Sequence, residues 1–212
     1  MKAPKNIVDD INNNRVNIIN SLKQESIVVY QFLQSELNKK DIAVTNNHLF
    51  QFVFRHFYGM NRVGLTDDFY LKYFGFLEEF RNKPQEFKLD KMVEDFYALN
   101  TIKRKKKEKK SLQFSFLTKL YHSVNPTKPI YDKYVCLASG ISQYYISNKK
   151  NKITKLLKAY EYLEKLYEQI DKDNSLSAIL EMFDKKFEGH EINKTMQYDF
   201  IFWKAGILQE EK

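Results

Sequence analysis

Residues 151–170 read NKITKLLKAYEYLEKLYEQI, and no other stretch limits the fold as strongly. Ile153, Leu156, Leu157, Tyr160, Leu163, Tyr167 and Ile170 recur at helical spacing and make one apolar face. Lys152, Lys155, Lys158 and Lys165 lie mainly off that face. A helix patterned in this way needs a partner layer to cover its stripe. Six glycines and four prolines in 212 residues are too few for the many tight turns of a sandwich or barrel. An all-α, multi-helix globular domain is therefore expected, and 43% hydrophobic residues are enough to fill its core.

The other segments follow the same grammar. IVDDINNNRVNIINSL carries Ile7, Ile11, Val16, Ile18, Ile19 and Leu22 at a ragged helical period. SIVVYQFLQSEL reads as the next helix, although its β-branched start leaves a strand open. In TNNHLFQFVFRHFYGM, Thr45 is the expected N-cap, Leu49, Phe50, Val53, Phe54 and Phe57 the apolar positions, and Gly59 the stop. In LTDDFYLKYFGFLEEF, Thr66 caps, Asp67 and Asp68 favour the positive helix end, and Phe69, Tyr73, Phe76 and Phe80 form a stripe that ends before Lys83-Pro84. KLDKMVEDFYALNTI places Leu89, Met92, Val93, Phe96 and Leu99 at helical spacing, and SLQFSFLTKLYHSV restarts with Leu112, Phe116, Leu117 and Leu120 buried. A short helix DKYVCLAS ends at Gly140, and SLSAILEMFDKKF and INKTMQYDFIFWKAGIL complete the chain. The spacing of the Phe and Tyr residues favours core packing over base stacking for most of them.

KRKKKEKK, residues 103–110, holds seven basic residues against one acidic and so supplies most of the formal net charge of +8. Lys103, Arg104, Lys105, Lys106, Lys107, Lys109 and Lys110 are candidates for phosphate contact with nucleic acid, most simply DNA. A solvated charge run is the competing reading. The block also offers a junction: a single domain spanning 1–212 is expected, or two lobes, 1–102 and 111–212, with a cleft between them. Cys136 is the one cysteine, which excludes an internal disulfide framework and a thiolate zinc cluster. Neither a signal-peptide core nor an apolar run of membrane-spanning length is present, so a soluble cytoplasmic protein without a membrane partner is expected.

Pro126 and Pro129 fall within LTKLYHSVNPTKPIYDKYV, residues 117–135. Each proline fixes its own φ and keeps its predecessor out of the helical region. The helix with Lys119 and His122 must stop near Val124, and a new one starts near Lys133 with Asp132 as its N-cap. That arrangement suffices as architecture. It also suits chemistry, because a lysine in the setting FSFLTKLY can be desolvated into a nucleophile, and a carboxylate at a helix start stays ionised to stabilise a cation. As a plain structural residue, Lys119 would lie on the polar face of an amphipathic helix.

TKLYHSVNPTKPIYDKYV resembles the lysine-to-aspartate segment of the helix-hairpin-helix DNA glycosylases, in particular the bacterial 8-oxoguanine glycosylase-like branch. The resemblance covers about twenty residues. It implies that Lys119 attacks the sugar C1′ of a damaged nucleotide, that Asp132 stabilises the developing oxocarbenium ion, and that the base is flipped into a pocket between two helical lobes. His122 and Tyr131 are candidate pocket residues. Tyr198 to Trp203, YDFIFW, resembles a closing helix of the same proteins. Where the family places a Gly-rich hairpin before its lysine, this chain has Leu112-Gln113-Phe114-Ser115-Phe116, and its lysine-to-aspartate spacing is shorter.

His48 and His56 stand two helical turns apart, and His122 and His190 have no partners at metal-ligand spacing. No glycine-rich phosphate loop or serine elbow is present. The expectation is a DNA-binding, DNA-repair protein without metal or cofactor. The alternative is a non-enzymatic helical module for nucleic-acid or protein binding. Whether the chain is an enzyme, which lesion it would take and its oligomeric state stay open at this point.

Overall fold

The computed structural model describes residues 4–104, 107–141 and 149–211. Among them are eleven α-helices and one two-stranded hairpin: α1 (Pro4–Asn13), α2 (Arg15–Ser21), α3 (Gln24–Asn38), α4 (His48–Phe57), α5 (Asp67–Phe80), α6 (Leu89–Tyr97), β1 (Ile102–Arg104), β2 (Lys107–Lys109), α7 (Phe114–Val124), α8 (Lys133–Ala138), α9 (Lys149–Asp173), α10 (Ser177–Lys186) and α11 (Lys194–Glu210). The all-α expectation holds. None of the described helices is long and apolar enough to cross a membrane.

The chain forms two compact units, Met1–Ile27 with Pro126–Lys212, and Val28–Asn125. It changes unit within α3 and again just after α7, so the division does not fall at 103–110. That segment belongs to the second unit, where backbone bonds tie its start to residues 64–66.

In the first unit, the apolar stretch expected as one helix is two. The run Asn12-Asn13-Asn14 breaks it, because asparagine side chains compete for backbone partners and have low helix propensity. The Asn14 side-chain Nδ2 donates to the Asp10 carbonyl at 2.8 Å, Ile7, Ile11, Ile18 and Ile19 are buried, and Val16 is left exposed. Lys186 of α10 closes the end of α2 by donating to the carbonyls of Ile19 and Leu22, both at 2.7 Å. α11 is apolar around most of its circumference and is the centre of this unit, with Phe200, Ile201, Phe202 and Ala205 all buried. It packs on α8 and α2. Of the face of α9, Tyr160, Leu163, Tyr167 and Ile170 are buried, with Leu166 added, while Ile153, Leu156 and Leu157 are half-buried.

The second unit has an aromatic core. Phe50 and Phe54 of α4 meet Phe74 edge-on at 6.5 and 5.8 Å, and Phe69 meets Phe96 of α6 at 5.3 Å. The Tyr73 hydroxyl donates to the Phe116 carbonyl at 2.9 Å, which satisfies a phenol with no exposure to water. Residues 24–38 are helix, not strand, because Ile27, Tyr30, Leu33 and Leu37 bury one face at three- and four-residue steps.

Two expectations about these helices are corrected. The N-cap of α4 is Asn47, whose side chain accepts the Phe50 amide at 3.0 Å, and Thr45 is exposed. A turn at 43–47 carries the chain two residues further before the helix begins. Thr66 caps α5 as expected, accepting from the Phe69 amide, but the buried face is Phe69, Tyr73, Phe74 and Leu77. Phe76 and Phe80 are half-buried and line a shallow groove with Phe87 and Met92.

Among the described residues, the hairpin is the one element built of strands. β1 and β2 pair antiparallel with Ile102 opposite Lys109, Lys103 opposite Glu108 and Arg104 opposite Lys107. Strand pairing is imposed from outside the basic run. The Lys103 amide donates to the Gly64 carbonyl at 2.8 Å, the Thr66 amide to the Thr101 carbonyl at 3.2 Å, and Leu65 bridges Ile102. Gly64 has φ +68 and a Cβ there would stand 3.1 Å from the Lys103 carbonyl oxygen, so a glycine fits this join twice over.

Candidate functional site

α7 ends at Val124 and α8 begins at Lys133, as the prolines require. Asp132 stands at the N-cap of α8 in extended conformation, and its side chain accepts the Tyr134 amide at 3.0 Å. The turn before it is anchored residue by residue within the first unit. Asn193 donates to the Pro126 carbonyl at 3.1 Å, and Lys128 pairs with Glu164 at 2.7 Å. The Tyr160 hydroxyl donates to the Pro129 carbonyl at 2.9 Å. The Ile130 amide donates to both carboxylate oxygens of Asp199, each at 3.1 Å, and the Tyr167 hydroxyl donates to Asp199 Oδ1 at 3.0 Å.

Asp199 is 3% exposed, and a buried carboxylate is tolerated only where donors replace water. The Tyr167 phenol is held far above its usual range, first by burial and then by the Asp199 charge. Tyr131, a candidate pocket residue, is buried, and its phenol is likewise pushed upward, first by burial and then by the neighbouring Cys136.

Lys119 lies in the second unit. Of the two placements open to Lys119, desolvated or on a polar face, the second does not occur, because α7 buries all but Ser115 and Tyr121 of its residues and Lys119 is only 7% exposed. A helix buried around nearly its whole circumference has no polar face to offer. The Lys119 ammonium donates to Ser115 Oγ at 2.9 Å, one turn earlier, and lies 5.4 Å from the centre of the Phe116 ring. His122, one turn later, is fully buried; its Nε2 meets the Tyr30 hydroxyl at 2.9 Å, with the rings tilted at 5.7 Å. Lys119 and Asp132, side by side in the expected mechanism, thus belong to different compact units.

In the hairpin, Lys103, Lys107, Lys109 and Lys110 are exposed, with Glu108 among them. Lys105 and Lys106 lie outside the described residues, as does the side chain of Arg104. Four exposed ammonium groups on one short segment can meet a polyanion at little desolvation cost.

The other three histidines stand apart from this chemistry. His48 and His56 are exposed on α4, and the His190 Nε2 contacts Asp184 at 2.9 Å while its Nδ1 accepts the Ile192 amide at 3.1 Å. Among the described residues no three His, Cys, Asp or Glu side chains group as metal ligands.

Sequence reasoning missed Ser115, Tyr30, Tyr160, Tyr167 and Asp199. One of them had a signal: Asp199 is the lone charge in the apolar run Tyr198–Trp203, and a charge at the centre of a buried helix must have a dedicated partner. Comparison with protein-family models, with curated proteins and with solved structures finds no match.

Proposed function

We propose that this chain binds DNA through the hairpin at 102–109 and excises a damaged base, with Lys119 as nucleophile and Asp132 as electrostatic partner. The observation that carries the reading is the burial of Lys119. Lysines that form covalent intermediates act from sites shielded from bulk water, and this one is withdrawn from solvent beside an aromatic ring. In the step, the Lys119 ammonium first gives one proton to solvent, and the freed Nζ lone pair bonds to C1′ while the bond from C1′ to the base breaks. The bonding pair leaves with the base, which takes up a proton, and the nitrogen loses one proton to solvent; its lone pair then opens the C1′–O4′ bond, O4′ takes up a proton, and the protonated imine is formed. The Asp132 carboxylate offsets positive charge on the sugar as that bond stretches.

The direct test is incubation with duplexes containing 8-oxoguanine or uracil, followed by borohydride reduction to trap the imine. A covalent adduct that disappears in Lys119→Ala supports the reading. An adduct that persists in that variant removes Lys119 from the mechanism.

A second reading is non-enzymatic: a helical nucleic-acid-binding or protein-interaction module. Asp132 capping the Tyr134 amide and Lys119 bonding Ser115 Oγ favour it, since both bonds serve architecture. Binding of DNA without base release on any lesion selects this reading. Absence of DNA binding even at low salt removes both nucleic-acid forms and leaves a protein partner.

A further inference from the structure

We infer that Asp199 is the positioning residue for Asp132, fixing the carboxylate at the start of α8 through the backbone of Ile130; the catalytic half of this inference rests on the reading given under Proposed function. Ile130 precedes Asp132 by two residues, so the span from its amide to Asp132 is at most about 7 Å of chain. Over that span the backbone has few free torsions. Pro129 fixes its own φ, its carbonyl is held by Tyr160 at 2.9 Å, and the Ile130 amide is shared between both oxygens of Asp199 at 3.1 Å. Beyond it, the Asp132 side chain is held by the Tyr134 amide at 3.0 Å.

Asp199 itself cannot swing. It sits on α11 among buried residues, 3% exposed, and Tyr167 of α9 donates to its Oδ1 at 3.0 Å. A carboxylate that is held by the Tyr167 hydroxyl on a buried helix, and that accepts one shared Ile130 N–H on its two oxygens, is a stiffer holder of a turn than a solvent-exposed acceptor would be. A turn that needed only to be closed could be satisfied by a neutral acceptor or by water, at no cost in buried charge. The use of a buried carboxylate, itself held by Tyr167, to hold one amide two residues before Asp132 points to precise placement of that side chain.

Amide exchange of Tyr134 reads the placement directly, since this amide is held by Asp132. In Asp199→Asn it should exchange roughly fivefold to tenfold faster, the size expected of one weakened cap, while Leu163 in the core of α9 keeps its wild-type rate. An unchanged Tyr134 rate in the folded variant overturns the inference. Should Asp199→Asn fail to fold, Tyr167→Phe removes one donor from the same carboxylate and must shift Tyr134 in the same direction, or the inference fails.

Activity supplies the second readout. Single-turnover base release by Asp199→Asn should fall on the order of tenfold to a hundredfold, as in Asp132→Asn, because a small misplacement of a charge-stabilising group is costly. Borohydride trapping on a duplex with a preformed abasic site needs no base release and should stay within about twofold of wild type. Equal loss of both, in step with melting temperature, means that Asp199 is only architectural and overturns the positioning role. If wild-type protein neither releases base nor traps, the functional reading falls, and Tyr134 exchange still decides the structural claim.

Discussion

Gly206 of α11 lies so close to Tyr134 of α8 that an added Cβ would stand 2.0 Å from the Tyr134 carbonyl oxygen and 2.6 Å from its carbonyl carbon. The obstacle is backbone, which cannot rotate away as a side chain can. α8 carries Asp132 at its start, so this close approach also sets where the candidate carboxylate lies. Gly206→Ala should destabilise the protein by about 3 kcal/mol or more, despite alanine's higher helix propensity, because the two helices must separate. A lower urea midpoint at unchanged slope is the measurement. A midpoint equal to or above wild type would show that the helices part freely.

Replacement of Lys119 by methionine separates packing from chemistry. The two side chains have similar length, and methionine fills irregular apolar space without a charge to bury. Lys119→Met should therefore change stability by less than about 1.5 kcal/mol, as volume-conserving core changes do. Thermal unfolding followed by circular dichroism checks this. A loss well beyond that would mean that the ammonium is itself a structural keystone of α7, and would weaken the case for a catalytic role.

The exposed lysines predict a salt signature. Alanine at Lys103, Lys107, Lys109 and Lys110 together should weaken DNA affinity. The slope of log affinity against log salt should fall by roughly one for each phosphate that no longer has a lysine beside it. Titration at several ionic strengths reads both. An unchanged slope places the DNA-binding surface elsewhere on the protein.

Alkaline pH should unfold the chain earlier than its lysine content alone implies. Burial holds the phenols of Tyr73 and Tyr167 well above their ordinary value of 10.0, and those of Tyr131 and Tyr198 are raised as well. The folded state therefore keeps protons that the unfolded state releases near pH 10. Their stabilising contribution is fully present below that pH and is lost as pH rises toward the folded-state values, by about 1.4 kcal/mol per pH unit for each of Tyr73 and Tyr167 and by less for the partly solvent-screened Tyr131 and Tyr198. Tyrosinate absorbance and loss of helical dichroism should rise together in one transition. The slope should be shallower in Tyr73→Phe. Ionisation well before the loss of helix would contradict it.

The helical plan was legible because its signals are local. The period of α9, the Thr66 cap, the stops at Gly59 and Gly140 with φ of +69 and +64, and the Asp132 cap after two prolines all depend on residues within a few positions of one another. Local reading failed where two local solutions were nearly equal. Thr45 and Asn47 are both good caps, and the turn at 43–47 chose between them. The triple asparagine of α1 and α2 weakened a helix that the apolar period alone would have continued.

The candidate site divides in the same way. From its own residues the chain determined that a helix carrying Lys119 stops at Val124 and that Asp132 begins the next, because prolines and caps act over one or two peptide units. Tertiary structure alone decided that Lys119 is buried, that the basic run pairs as a hairpin, that Asp199 grips the turn from sixty-nine residues away and that only glycine fits at 206. Each of these depends on which distant backbone arrives at the spot, and a short window of sequence, even where a lone charge such as Asp199 calls for a partner, does not say which neighbour the packed fold supplies.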